Sequence, residues 1–143
     1  MRRIVLDTNC LLMCIPKVSP YRLLWDCFLR GSVRLCVTTE ILDEYLEILT
    51  QKVGSRIANN IIELLINSKH VEFYSPTYRF HIIKTDEDDN KFVDCAVVAG
   101  ASCIVSNDAH FREVENTNFP KVWVFCIADF VKILKRQQES LPS

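Results

Sequence analysis

Carboxylates stand directly after two apolar segments that have the composition of buried strands. Residues 4–6 are Ile, Val and Leu and run into Asp7, and residues 103–105 are Cys, Ile and Val and run into the segment from Ser106 to Asp108. A charged group at the end of a buried strand is costly unless it is paired or binds a metal ion. Helix capping explains either acid alone, whereas two acids at neighbouring strand ends favour a shared functional site.

Two further groups of acids lie in the middle of the chain. Residues 86–89 read Asp-Glu-Asp-Asp, and although acids at a helix N-terminus complement its dipole, four in succession repel one another. A predicted helix after the second strand carries four more acids, which are Glu40, Asp43, Glu44 and Glu47. Glu40 and Glu47 point away from its apolar stripe, while Asp43 and Glu44 lie at the two edges, and periodicity does not choose between these two.

Such acids are typical of a site for a hard divalent cation that acts on phosphate. Carboxylates about 4 Å apart repel each other by roughly 4 kcal/mol at an effective dielectric near 20, and a divalent ion cancels that repulsion. Mg²⁺ prefers a few carboxylates, several waters and phosphate oxygens, and such an ion activates water for an in-line displacement. The sequence has no G-x-G-x-x-G, P-loop or G-x-S-x-G motif, and its three His and seven Cys lack zinc-site spacing.

Alternating strands and helices must bring these acids together. We predict strands at 3–6, 34–37, 71–74, 103–105 and 122–125, and helices at 21–30, from Thr38 or Thr39 to about 52, and at 56–67, 89–99 and 127–136. This order predicts an α/β fold with a parallel sheet covered by helices on both faces. In such sheets the functional site lies at the carboxyl ends of the strands, which is where Asp7 and Asp108 are expected.

Length and composition indicate one globular domain, 1–143. The chain has 143 residues, 49% hydrophobic and 24% charged, which is the mix of an ordinary globular protein. Its net charge of −1 does not by itself indicate a nucleic-acid binder. The longest uncharged run, 95–107, has 13 residues and is too short to span a bilayer, and Asp7 interrupts the first apolar run too early for a signal peptide. We therefore expect a cytoplasmic protein without a membrane segment.

Four segments resemble, in the right order, the sequence motifs of PIN domains. They are VLDTN at 5–9, TTEILDEY at 38–45, DEDDNKFVDCA at 86–96 and IVSNDAHF at 104–111. Each motif is weak alone, and together they cover most of the chain. The resemblance is strongest to the VapC-like ribonuclease toxins of bacterial and archaeal toxin–antitoxin pairs. It implies a PIN-like three-layer α/β/α sandwich with a central parallel sheet.

The resemblance also implies an activity and the residues that perform it. A PIN domain of this type is a Mg²⁺- or Mn²⁺-dependent endoribonuclease that hydrolyses RNA phosphodiester bonds. Catalysis and metal binding would fall to Asp7, Glu44, one acid of the third motif and Asp108. Hydrogen-bonding support for these carboxylates would come from Thr8, Asn9, Asn90 and Ser106.

The third motif departs from the pattern of many toxin-type members. They have an Asp 18 residues before the fourth-motif Asp, and here that position is Asn90. Asp89 is the better match and is assigned to catalysis and metal binding. Asp94, one helical turn beyond Asn90 on the same face, is the second candidate ligand, and Asp86 is the third.

Basic residues near the amino terminus are candidates for RNA contact. Residues 1–35 hold six basic and two acidic side chains, and such segregation lets a neutral protein bind a polyanion, although ordinary surface scatter gives the same count. Arg2 and Arg3 are the candidates there. Lys91, beside the acidic run, either contacts phosphate or neutralises its neighbours.

The resemblance further implies a small antitoxin as partner and a homodimer. Two other functions compete with the nuclease. One is a non-catalytic PIN-like scaffold that binds RNA or protein, and the Asn90 departure favours it. The other is a haloacid-dehalogenase-type phosphatase, which requires an Asp two residues after the nucleophile, where this chain has Asn9.

Overall fold

A parallel sheet forms the centre of the molecule. The computed structural model describes residues 2–84, 86–117 and 121–140, and within these ranges it contains five strands and seven α-helices. The strands are β1 (Arg2–Leu6), β2 (Val33–Val37), β3 (Val71–Phe73), β4 (Cys103–Val105) and β5 (Val124–Phe125). Their order across the sheet is β3-β2-β1-β4-β5, and each pairing is parallel.

Helices cover both faces of this sheet, as the resemblance implied, and the fold is a three-layer α/β/α sandwich. They are α1 (Thr8–Cys14), α2 (Arg22–Arg30), α3 (Thr39–Val53), α4 (Ser55–Asn67), α5 (Asn90–Ala99), α6 (Arg112–Glu115) and α7 (Ile127–Ser140). Short 3₁₀ turns at Glu87–Asp89 and Ala109–Phe111 precede α5 and α6. Helix α5 packs against β1, β2 and β4, and α2 packs against β2 and α7.

The central strands are apolar along their length because helices cover both sides of them. Ile4, Val5 and Leu6 of β1 have no exposed surface. The phenol of Tyr45, from α3, is fully buried and donates a hydrogen bond to the carbonyl of Leu6. This contact fixes α3 against the carboxyl end of β1, where the candidate site begins. Among the described residues, none of the helices has the length and apolar content that a bilayer crossing requires.

Helix ends agree with the sequence in several places and differ in others. The side chain of Thr38 accepts a hydrogen bond from the amide of Ile41 and caps α3. Of the two candidate caps, Thr38 and Thr39, it is therefore Thr38 that caps the helix. Gly100 ends α5 with φ 61°, a conformation that glycine adopts without strain. Helices α1 and α6 were not predicted, and β5 is shorter than the expected 122–125.

The omission of α1 has a physical explanation. Its seven residues are nearly all apolar or small, so they carry no amphipathic period, and the segment is shorter than a typical helix. Its start is set by Asp7, whose carboxylate accepts a hydrogen bond from the amide of Cys10 at 2.8 Å. The acid chosen for its chemistry is therefore also a helix cap.

Candidate active site

Asp7 leaves the central strand at the carboxyl edge of the sheet and is fixed on two sides. One carboxylate oxygen accepts the hydrogen bond from Cys10 at the start of α1, and the other accepts a hydrogen bond from the hydroxyl of Ser106. The residue is 5% exposed. Hydrogen bonds to the charged form and the positive end of a helix offset the cost of burying this carboxylate.

Ser106 joins the two strand ends on which the sequence placed acids. In the register of β1 and β4, Leu6 lies beside Val105, so the residues that follow them are neighbours. The Ser106 hydroxyl donates to Asp7, and its oxygen accepts a hydrogen bond from the amide of Asp108 at 3.0 Å. One buried hydroxyl thus positions both the Asp7 carboxylate and the backbone that carries Asp108.

Glu44 reaches the same place from the middle of α3. One of its oxygens accepts a hydrogen bond from the hydroxyl of Thr8, and the other lies 2.7 Å from the ammonium of Lys91. The structure therefore distinguishes the two acids that periodicity left open. Glu44 is half-buried against α1 and α5, whereas Asp43 is exposed in an adjoining acidic groove.

Asp89 precedes α5 and lies among other acids. Burial and the neighbouring Asp86 and Asp108 carboxylates raise its pKa to about 6, against an opposing contact with His110. The Nδ1 atom of His110 is 3.2 Å from an Asp89 oxygen and 3.0 Å from an Asp108 oxygen. The hydrogen bond with Asp89 and the surrounding carboxylates raise the pKa of His110.

These side chains surround one small pocket of about 170 Å³ at the carboxyl edge of the sheet. Its lining consists of Asp7, Thr8, Asn9, Glu44, Ile48, Asp89, Phe92 and Asp108. Beside it, Asp86, Asp89 and His110 bring their possible ligand atoms within 4.8 Å of one another. A donor set of crowded carboxylate oxygens, partly desolvated and mutually repelling, fits a hard divalent cation such as Mg²⁺ or Mn²⁺.

Comparison with known proteins agrees with this arrangement. The sequence profile of the PIN domain matches residues 3–110. The chain belongs to the PIN domain family. No curated protein sequence matches it closely enough to be significant.

Solved structures share the fold of this PIN domain at low sequence identity. VapBC2 from Rickettsia felis, bound to a DNA fragment from its promoter, superposes with a TM-score of 0.59 and 13% identity, over 87% of this chain and 98% of that one. DNA-bound VapBC from Salmonella typhimurium gives 0.57 and 19%, over 89% and 99%. The PIN domain endonuclease Utp24 gives 0.51 and 20%, over 85% and 82%.

Two candidates from the third motif of this PIN domain point elsewhere. The amide of Asn90 forms two hydrogen bonds of 2.8 Å with the backbone of Ile83, one donated and one accepted. Asp94 is 2% exposed and accepts a hydrogen bond from the amide of Phe80 at 3.1 Å. The two side chains share a helix face, as expected, but that face holds the segment 75–84 against α5 and does not line the acidic pocket.

The amino-terminal arginines lie at the opposite end of β1 from the pocket. Asp7 follows Arg3 by four positions, which is roughly 13 Å along a strand. The guanidinium of Arg3 is 2.7 Å from Glu72 on β3. The structure therefore does not bring Arg2 and Arg3 to the mouth of the acidic pocket, although both were expected there.

Sequence reasoning assigned no role to His110, which the structure places among three carboxylates. The available signal was its position two residues after Asp108. The Asp108 carboxylate accepts a hydrogen bond from the amide of His110 at 2.9 Å and starts the 3₁₀ turn at Ala109–Phe111. This tight turn directs the imidazole back toward Asp89.

Proposed function

We propose that this PIN domain is a metal-dependent endoribonuclease that hydrolyses RNA phosphodiester bonds. The observation that carries the proposal is the convergence of Asp7, Glu44, Asp89 and Asp108 on one pocket. Family membership supports nuclease chemistry over the haloacid-dehalogenase-type phosphatase, whose second Asp is replaced here by the exposed Asn9. The four carboxylates of the pocket supply oxygen ligands, which supports Mg²⁺ or Mn²⁺ as the cofactor.

The residues of the chain have separable tasks in this proposal. Asp7, Asp89 and Asp108 would hold the cation, and Ser106 keeps the first and last of them in register. Glu44, fixed by Thr8 and Lys91, would complete the acidic wall. A bound Mg²⁺ or Mn²⁺ would supply an activated water and neutralise charge that develops on the phosphate. Hydrolysis would join the hydroxyl of a water molecule to phosphorus, and the departing ester oxygen would take up the other proton of that water.

We also propose that the protein is a toxin of the VapC type that acts in the cytoplasm. Support comes from the sequence motifs and from the fold shared with two VapBC structures. A small antitoxin would then cover the acidic pocket, and the protein would form a homodimer. Size-exclusion chromatography with light scattering tests the dimer, and co-purification with the product of an adjacent small gene tests the partner.

A second candidate function is a PIN scaffold that binds RNA or protein without cutting. One observation favours it, since the ammonium of Lys91 already neutralises Glu44 in the fold. In a nuclease the same ammonium leaves three carboxylates of the pocket for the cation. Metal binding therefore discriminates between the two functions, because the scaffold does not require it.

The decisive experiment measures cleavage of a mixed-sequence RNA by the purified protein with Mn²⁺ or Mg²⁺. EDTA removes the cation, and the double variant Asp7→Asn/Asp108→Asn removes two of its expected ligands. The matched control is Asp26→Asn/Asp129→Asn, which removes two acids outside the pocket. We expect cleavage only by the wild type and the control with metal present. A folded wild type that neither cuts RNA nor binds Mn²⁺ in calorimetry would overturn the nuclease and support the scaffold.

A further inference from the structure

Lys91 is a nearly buried cation behind Glu44, in the acidic groove that adjoins the pocket. It is the second residue of α5 and is 8% exposed. Its Nζ atom lies 2.7 Å from Oε1 of Glu44, 3.0 Å from Oδ2 of Asp88 and 2.9 Å from the carbonyl oxygen of Asp88. The contact with the Asp88 carbonyl is a hydrogen bond, and the two with carboxylate oxygens are ion pairs.

Its position fixes the orientation of Glu44. The second oxygen of Glu44 accepts the hydroxyl of Thr8, so the carboxylate is held from α1 on one side and from α5 on the other. Asp88 by contrast is an exposed partner, with 76% of its side chain accessible. A solvent-exposed ion pair with Asp88 alone does not require a buried ammonium. We therefore attribute the burial of Lys91 to its contact with Glu44, which lines the pocket.

A second divalent ion held by both Glu44 and Asp88 would have to take the place of this ammonium. Two-metal phosphodiester sites hold their ions about 3.5–4 Å apart, between shared carboxylates. On the Glu44 side, Oε1 and the Asp88 oxygens converge on Lys91 at bonding distances. On the other side, Asp7, Asp89 and Asp108 line the pocket without a lysine or arginine among its lining residues. Lys91 therefore supplies positive charge on the Glu44 side, whereas a divalent ion would supply it on the side of Asp7, Asp89 and Asp108.

We propose that Lys91 is a built-in cation that positions Glu44 and replaces a second divalent ion, so that the site binds one divalent ion per chain. The first ion is part of the proposed function, on which this inference rests. Lys91 acts through Glu44 and is a positioning residue.

The test counts Mn²⁺ bound to the full-length protein, by titration calorimetry and by the electron paramagnetic resonance signal of free Mn²⁺. The wild type is compared with Lys91→Met, which removes the charge, and with Lys91→Arg, which keeps it. Lys132→Met is the matched control, because Lys132 is an exposed lysine on α7. We expect one Mn²⁺ per chain in the wild type, Lys91→Arg and Lys132→Met, and two in Lys91→Met.

A double variant tests where the second ion binds. Glu44→Gln/Lys91→Met removes both the ammonium and the carboxylate that it holds, and we expect the count to return from two to one. Lys91→Gln, which is polar and uncharged, repeats the measurement if Lys91→Met fails to fold by circular dichroism.

The outcomes separate this inference from the nuclease proposal. Two Mn²⁺ per wild-type chain, or one with unchanged affinity in both uncharged variants, would overturn the role of Lys91 and leave the nuclease standing. No bound Mn²⁺ in the folded wild type would overturn both.

Discussion

Ser106→Ala removes a hydroxyl that holds the two strand-end acids of the site. In the wild type this buried group donates to the carboxylate of Asp7 and accepts from the amide of Asp108. A hydrogen bond to a charged group contributes about 1.5–3 kcal/mol. Water cannot easily replace it, because Asp7 and Ser106 are only 5% and 4% exposed. We expect the free energy of unfolding to fall by about 2 kcal/mol, and the melting temperature by roughly 6 °C.

The same substitution should weaken metal binding, because substituting a residue that orients a metal ligand typically lowers metal affinity by about 10–100-fold. Urea unfolding in EDTA measures the stability effect, and Mn²⁺ calorimetry measures the effect on affinity. Ser102→Ala is the matched control, since Ser102 is exposed just before the other end of β4. If Ser106→Ala stayed within about 0.5 kcal/mol of this control and bound Mn²⁺ equally well, the positioning role would be refuted.

Three further predictions concern neighbouring features. In Asn90→Asp the carboxylate can still accept the hydrogen bond from the Ile83 amide but cannot donate one to the Ile83 carbonyl. We expect the free energy of unfolding, measured with urea, to fall by about 2 kcal/mol. The pKa of Asp89 is raised from 3.8 to about 6, so the folded state binds the extra proton between these values. In EDTA, stability should therefore fall by roughly 3 kcal/mol as pH rises from 4 to 7, and Asp89→Asn should remove this slope; an equal slope in both proteins would contradict the assignment. Gly31→Ala should lower stability by about 1–3 kcal/mol, measured by thermal melting, because Gly31 has φ 86° and the added Cβ would lie 2.6 Å from Nε2 of His70.

The sheet could be predicted because its signal is local. Apolar runs alternate with helical patterns, and parallel strands separated by helices have few alternative arrangements. The pairing of β1 with β4 then follows as a matter of topology, and it confirms that the strand ends before Asp7 and Ser106 are adjacent. Helix α1 escaped prediction because its buried residues include Thr8, Cys10, Leu11 and Cys14, a pattern set by tertiary packing and not by a polar face.

Periodicity alone could not choose between Asp43 and Glu44 on α3, because the choice depends on contacts from elsewhere in the chain, and only the motif resemblance pointed to Glu44. Asp43 and Glu44 are equivalent at 100° per residue, and the contacts of Glu44 with Thr8 and Lys91 distinguish it. The third motif shows the same limit. A shared helix face for Asn90 and Asp94 is readable from the sequence, whereas the path of the segment 75–84 across that face is not.

A cluster of carboxylates must be compatible with folding before any cation binds to it. Here each acid of the pocket has a compensating group within the protein, and the compensation differs in strength. Asp7 has a helix N-terminus and a buried hydroxyl, and Glu44 has a buried ammonium. Asp89 and Asp108 share the more exposed imidazole of His110. An incoming cation competes least with the imidazole, since His110 is much more exposed to solvent than Lys91 or Ser106. The Asp89–Asp108 side of the pocket is therefore where the fold leaves the most charge for a metal ion to neutralise.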